Sequence, residues 1–153
     1  MVLLGSATPC FTKREDFPYG INNAAVDDLI QQTYTDRPSM LKNFGEIFFA
    51  NPNKLSAEFK IWNLGLGLAA SAHATIQCAI ELGNADLRKD LASIHVPTLI
   101  LHGSNDHVCL FDLAKSMHDG IKGSQLVSIE KAGHGFYYEE REKVNSEILK
   151  FID

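Results

Sequence analysis

The chain has 153 residues, 45% of them apolar and 22% charged, with 14 basic against 19 acidic side chains and a formal net charge of −5. That composition suits one folded domain without disorder, and its acidic balance excludes a non-specific nucleic-acid binder, which needs a positive field. No apolar run is long enough to span a bilayer, so no membrane association is expected, and Cys10, Cys78 and Cys109 are too few and too scattered for a disulfide framework, so a reducing cytoplasmic home is expected.

Met1-Val2-Leu3-Leu4 has no basic n-region before it and is not expected to be a signal peptide; it reads as a short strand ending in the turn Gly5-Ser6-Ala7-Thr8-Pro9. A polar loop is expected from Cys10 to Gly20. Val26, Leu29, Ile30 and Tyr34 then recur at helical spacing, with Asn22 or Asn23 as N-cap. Asp36-Arg37-Pro38 opens a second helix with Leu41, Phe44, Ile47 and Phe48 on one face. Ser56 caps a third helix carrying Phe59, Ile61 and Trp62, which Gly65 and Gly67 are expected to interrupt. A fourth runs through Ala69-Ala70-Ser71 to Leu82 and stops at Gly83-Asn84.

The pattern changes after residue 84. Asp86 is placed to cap a short helix through Leu91. Val96-Pro97-Thr98-Leu99-Ile100-Leu101 is a continuous apolar run, as expected of a strand covered on both faces, and it ends at His102-Gly103. Leu110, Leu113, Ala114, Met117 and Ile121 make one face of an amphipathic helix closed by Gly120 or Gly123. Gln125–Ile129 reads as another strand, Gly133-His134-Gly135 as a tight loop, and Val144, Ile148 and Ile152 mark a final helix. The chain therefore divides into a strand and loop (1–21), a helical region (22–84) and a βαβα segment (85–153), an α/β pattern with a parallel sheet.

In such a sheet the loops at the carboxyl ends of the strands converge on one edge, where ligands bind. Two of them carry polar groups here: Gly103 to Cys109, containing Asp106, and Gly133-His134-Gly135. An aspartate and a histidine on adjacent strand ends can hydrogen-bond, the carboxylate holding the imidazole tautomer and stabilising the imidazolium. Taken singly, Asp106 reads as a turn former or helix cap and His134 as a surface loop residue. Their placement just past strands and beside glycines favours an acid–base pair.

Asp86-Leu87-Arg88-Lys89-Asp90-Leu91, then Ile94-His95-Val96-Pro97-Thr98-Leu99-Ile100-Leu101-His102-Gly103, then Asp106, resembles the α/β-hydrolase superfamily, closest in flavour to small esterases, lipases and cofactor-free haloperoxidases. The resemblance implies Asp106 as catalytic acid, His134 as catalytic base, and a cap or lid where Asn22 to Leu82 lie. The expected fold is an incomplete α/β-hydrolase, a small parallel sheet of about three strands with flanking helices and a lid-like helical region. No serine, however, stands in the family's Gly-x-Ser-x-Gly elbow, and the His-Gly segment of the oxyanion hole is also missing; Ser6, Ser71, Ser104 and Ser124 all lack the flanking glycines. The family's order puts both features ahead of the strand at Val2. Weak or no ester turnover by the chain alone is therefore expected; a non-catalytic binding or scaffold protein, or one half of a split hydrolase needing an N-terminal partner, is the alternative.

No cofactor or metal is expected: His102, Asp106, His107 and Cys109 are close in sequence but lack ligand spacing. Cys109, at an expected helix start, is either an activated thiol or a small packing residue. His73 reads as a lid surface or core residue. Phe44, Phe48, Phe49, Phe59 and Trp62 are expected to pack in the core, or else to line an apolar acyl pocket for a small apolar ester or acyl ligand. Glu139 to Lys143 read as a solvated first helical turn. The Val2–Leu4 strand is expected to expose an edge that a second copy of the chain covers in a homodimer, or that a separate N-terminal half covers.

Overall fold

A computed structural model describes all 153 residues, Met1–Asp153. Strands β1 (Val2–Leu4), β2 (Leu99–Gly103) and β3 (Gln125–Ile129) form one parallel sheet in that order. Val2 lies opposite Leu99 and Leu4 opposite Leu101; on the other side Leu99 faces Gln125 and Gly103 faces Ile129. β2 is central and buried along its whole length, which accounts for its unbroken apolar sequence. Alternation along the strand sends Leu99 and Leu101 to one face, against Ile129, Phe136 and Val144, and Ile100 to the other, against Leu91, Ala114, Met117 and Ile121. Helix α4, the crossover between β2 and β3, supplies Leu113, Ala114 and Met117 as its buried stripe. It runs Phe111–Gly120, so its first residue is Phe111, with Leu110 at the N-cap. β2 starts only at Leu99: Val96 is 55% exposed, and Pro97 has no N–H to give a ladder.

The helical region holds α1 (Asn23–Phe48), α2 (Ala57–Ala69) and α3 (Ala72–Asn84). The two helices expected before Phe49 are two arms of α1, kinked at Asp36, whose φ of −152° and ψ of 76° are non-helical. Asp36 caps the second arm through the Ser39 N–H and hydroxyl at 3.1 and 2.7 Å, and Asn22 caps the first through Ala24 N. Gly65 and Gly67 do not interrupt α2. Glycine weakens a helix interior by about 1 kcal/mol but leaves its hydrogen bonds intact. The break falls instead at Ala70-Ser71, where Ser71 caps α3 by accepting from Ala74 N at 3.2 Å. Two arginines finish these helices. Arg37 Nη2 donates to the Gly67 and Ala70 carbonyls at 2.8 Å, and Arg14 Nη2 to the Gly83 and Asn84 carbonyls at 2.8 and 3.0 Å. Cations there satisfy orphan carbonyls and complement the helix dipole.

Other expectations change as well. The loop from Cys10 to Gly20 is not simply polar: Cys10, Phe11, Thr12 and Phe17 are buried, and Cys10, Phe11 and Phe17 share a core with Val26, Ala79 and Leu113. Asp86 does not start a helix. Its carboxylate accepts from the backbone and guanidinium of Arg88, and only a single 3-10 turn forms at Leu91–Ser93. Trp62 is not in the core: it is 59% exposed, on a helix, α2, that buries none of its residues. A one-turn helix α5 (Phe136–Glu139), not foreseen, precedes α6 (Arg141–Ile152). No helix is long and apolar enough to cross a membrane.

Candidate active site

Asp106 and His134 sit on loops that cross at the carboxyl edge of the sheet. Ser104 N and Asn105 N donate to Ile129 O and Ala132 O at 3.0 Å, and Lys131 N donates to Ser104 Oγ at 2.8 Å. The crossing is so close that a β-carbon on Gly103 would stand 2.2 Å from the Gly133 carbonyl oxygen, a space only glycine leaves open.

The side chain of Asp106 is fully buried and accepts three N–H hydrogen bonds. Oδ1 accepts from Val108 N and Cys109 N, both at 2.8 Å. Oδ2 accepts from His134 Nδ1 at 2.8 Å and lies 3.3 Å from His102 Nε2. Burial alone would raise the carboxyl. The hydrogen bonds from His102, His134 and Cys109 outweigh it and hold Asp106 well below the ordinary carboxylate range. An ionised Asp106 requires a proton on His134 Nδ1, so that in the neutral ring the lone pair is on Nε2; Nε2 makes no hydrogen bond within the chain. The imidazole side chain is 20% exposed, braced edge-on by the Phe48 ring at 4.7 Å between centroids.

His134 lies on the wall of an apolar cavity of about 580 Å³ bounded by Gly5 and Ala7, by Phe44 and Ile47 of α1, and by Ala79 and Leu82 of α3. Of the aromatic set, Phe44 therefore lines this cavity, while Phe49 is buried. His73 is exposed on α3.

The residues considered as metal ligands point elsewhere. His102 Nε2 lies 2.7 Å from the Cys109 carbonyl oxygen, an acceptor, so Nε2 carries the proton; the same nitrogen stands 3.3 Å from Asp106 Oδ2. His107 lines the cavity, and no group of three or more metal-ligating side chains is assembled. Cys109 is a packing residue. Burial and the adjacent Asp106 carboxylate push its thiol up to about 12, the opposite of activation. Two contributors escape sequence reasoning. His102, read there only as a metal candidate, is the second imidazole on Asp106. Glu139, read as a solvated first-turn acid, accepts from Gly133 N at 2.7 Å and Asn51 N at 2.9 Å. The placement of His102 four residues before Asp106 across a tight turn was a usable signal. Nothing near Glu139 announced a partner as distant as Asn51.

The family described as TAP-like protein, a branch of the α/β hydrolases, matches residues 71–153, more than half of the chain. The chain belongs to the α/β-hydrolase family. It is 48% identical to the AB hydrolase superfamily protein YisY of Bacillus subtilis over 99% of its own length and 56% of that protein's. Among solved structures it matches an esterase from Exiguobacterium antarcticum with a TM-score of 0.94 and 46% identity, and a bromoperoxidase from Bacillus anthracis with a TM-score of 0.94 and 29% identity. Each match covers 99% of this chain and 56% of the other. This α/β-hydrolase chain thus spans about half the length of its relatives, and its three-stranded sheet is an incomplete α/β-hydrolase fold.

Proposed function

We propose that this α/β-hydrolase chain supplies the acid–base pair and the acyl cavity of a carboxylic-ester hydrolase. Asp106 orients His134 and stabilises its imidazolium. Nε2 of His134 takes the proton of a hydroxyl nucleophile, then passes it to the leaving alkoxide. The observation that carries the proposal is the 2.8 Å bond between His134 Nδ1 and Asp106 Oδ2 beside an apolar cavity of about 580 Å³, with Nε2 left free. The esterase likeness supports it. The cavity suits a small apolar ester or acyl group.

The nucleophile and oxyanion donors would come from a segment outside these 153 residues, so the chain alone turns esters over weakly or not at all. Such a segment would seat on the unpaired edge of β1, where Leu4 is 44% exposed. A second copy of the chain, pairing edge to edge, is the competing occupant. Supplying the chain with the N-terminal portion of the Bacillus subtilis relative, in trans or by fusion, tests the proposal on a p-nitrophenyl ester. Hydrolysis is expected only with that portion present, and His134→Ala is expected to lower it by about 10⁴-fold or more. Ordinary enzyme rates from the chain alone, or a complemented activity indifferent to His134→Ala, would overturn it. Size-exclusion chromatography of the chain by itself separates the two edge occupants.

A further inference from the structure

The loop carrying His134 is fastened to the helical region by one carboxylate. Glu139, the last residue of α5, accepts from Gly133 N through Oε2 at 2.7 Å and from Asn51 N through Oε1 at 2.9 Å. Gly133 immediately precedes His134, and Asn51 follows the end of α1 closely. The same junction is tied on the other side of His134, where Gly135 N donates to the Phe48 carbonyl at 2.8 Å. Asn51 Nδ2 adds a bond to the Lys131 carbonyl at 3.3 Å. Packing allows no slack: a β-carbon on Gly133 would stand 2.5 Å from Ala50 N, and one on Gly135 would stand 2.1 Å from the Phe49 ring. Phe48, whose carbonyl takes the Gly135 bond, also places its ring against the imidazole.

Charge-assisted bonds from backbone N–H groups to a carboxylate are short and strong, and Gly133 is buried, so losing its acceptor is costly. From this geometry we infer that Glu139 is a positioning residue for His134, joining the end of α1 to the loop that aims the imidazole at Asp106. The inference rests on the proposed role of His134 as base.

The test uses the full chain, labelled with ¹⁵N. The wild type is expected to show a downfield His134 Nδ1 proton, assigned by its loss in His134→Gln. Glu139→Ala removes both acceptors and should abolish or broaden that signal. Glu139→Gln keeps one acceptor oxygen and should give an intermediate shift, while Glu140→Ala should leave it unchanged. In the complemented hydrolase, Glu139→Ala should lower kcat by about 10- to 100-fold with KM little changed, and Glu139→Gln should recover part of the loss. An unchanged Nδ1 proton in folded Glu139→Ala, or in Glu139→Gln should the alanine variant not fold, overturns the inference. The proposed function fails separately, if His134→Ala leaves the complemented rate unchanged, because the spectrum reads the loop without any turnover.

Discussion

Gly5 lies against the imidazole of His134: a β-carbon added to Gly5 would stand 3.2 Å from His134 Cε1 and 3.3 Å from Nδ1. The residue just past β1, a strand of three residues, therefore forms one wall of the His134 socket. Gly5 also has a φ of +54°, in the left-handed region that disfavours any side chain. Gly5→Ala should destabilise the fold by about 1–3 kcal/mol, from backbone strain and crowding together. Urea unfolding should show a lower midpoint at unchanged slope. It should also weaken the His134 Nδ1–Asp106 bond. An unaltered midpoint with an unaltered ring signal would show that the socket has room to spare.

Asp106 makes stability depend on acid. Burial opposes its ionisation, but the donors from His102, His134 and Cys109 prevail, so its folded-state value lies below the ordinary 3.8. A depressed carboxyl contributes stability that is complete above the unfolded value and lost as the pH falls toward the folded one, because the unfolded chain binds the proton first. Asp106→Asn removes this contribution. The gap between wild type and variant should be about 3 kcal/mol near neutrality and should narrow below about pH 4. Urea unfolding at about pH 3, 5 and 7 measures it, and a gap constant across that range would refute the assignment.

The three cysteines should separate by reactivity. Cys78 is exposed on α3, Cys10 is buried, and Cys109 is buried with its thiol raised to about 12. At mildly alkaline pH an aromatic disulfide reagent should titrate one thiol rapidly in the folded chain and all three after denaturation. Cys78→Ser should remove the fast phase. A fast phase surviving in that variant would mean that the segment around Cys10 or the loop after Asp106 opens to solvent.

Much of this architecture is written in local pattern. The apolar run at Leu99–Leu101, the stripe through Leu113, Ala114 and Met117, and the caps at Asn22 and Ser56 follow from periodicity and hydrogen-bonding chemistry that a few neighbouring residues carry. Gly65 and Gly67 misled because propensity costs only about 1 kcal/mol per glycine, which the surrounding turns of α2 absorb. Trp62 misled for another reason: helical spacing says which residues share a face, not whether anything covers it.

Sequence alone determined that Asp106 and His134 stand at the ends of adjacent strands, because strand, crossover helix and strand leave little freedom in where those loops emerge. Only the tertiary structure decided what surrounds them. His102 Nε2 lies 3.3 Å from the same carboxylate oxygen, Gly5 walls the ring, and Glu139 binds its loop to Asn51. The last two are contacts between segments far apart along the chain, and a hydrogen bond leaves no periodicity behind. Its partner is chosen by packing, when the buried N–H groups of Gly133 and Asn51 need an acceptor and the fold brings one carboxylate to both.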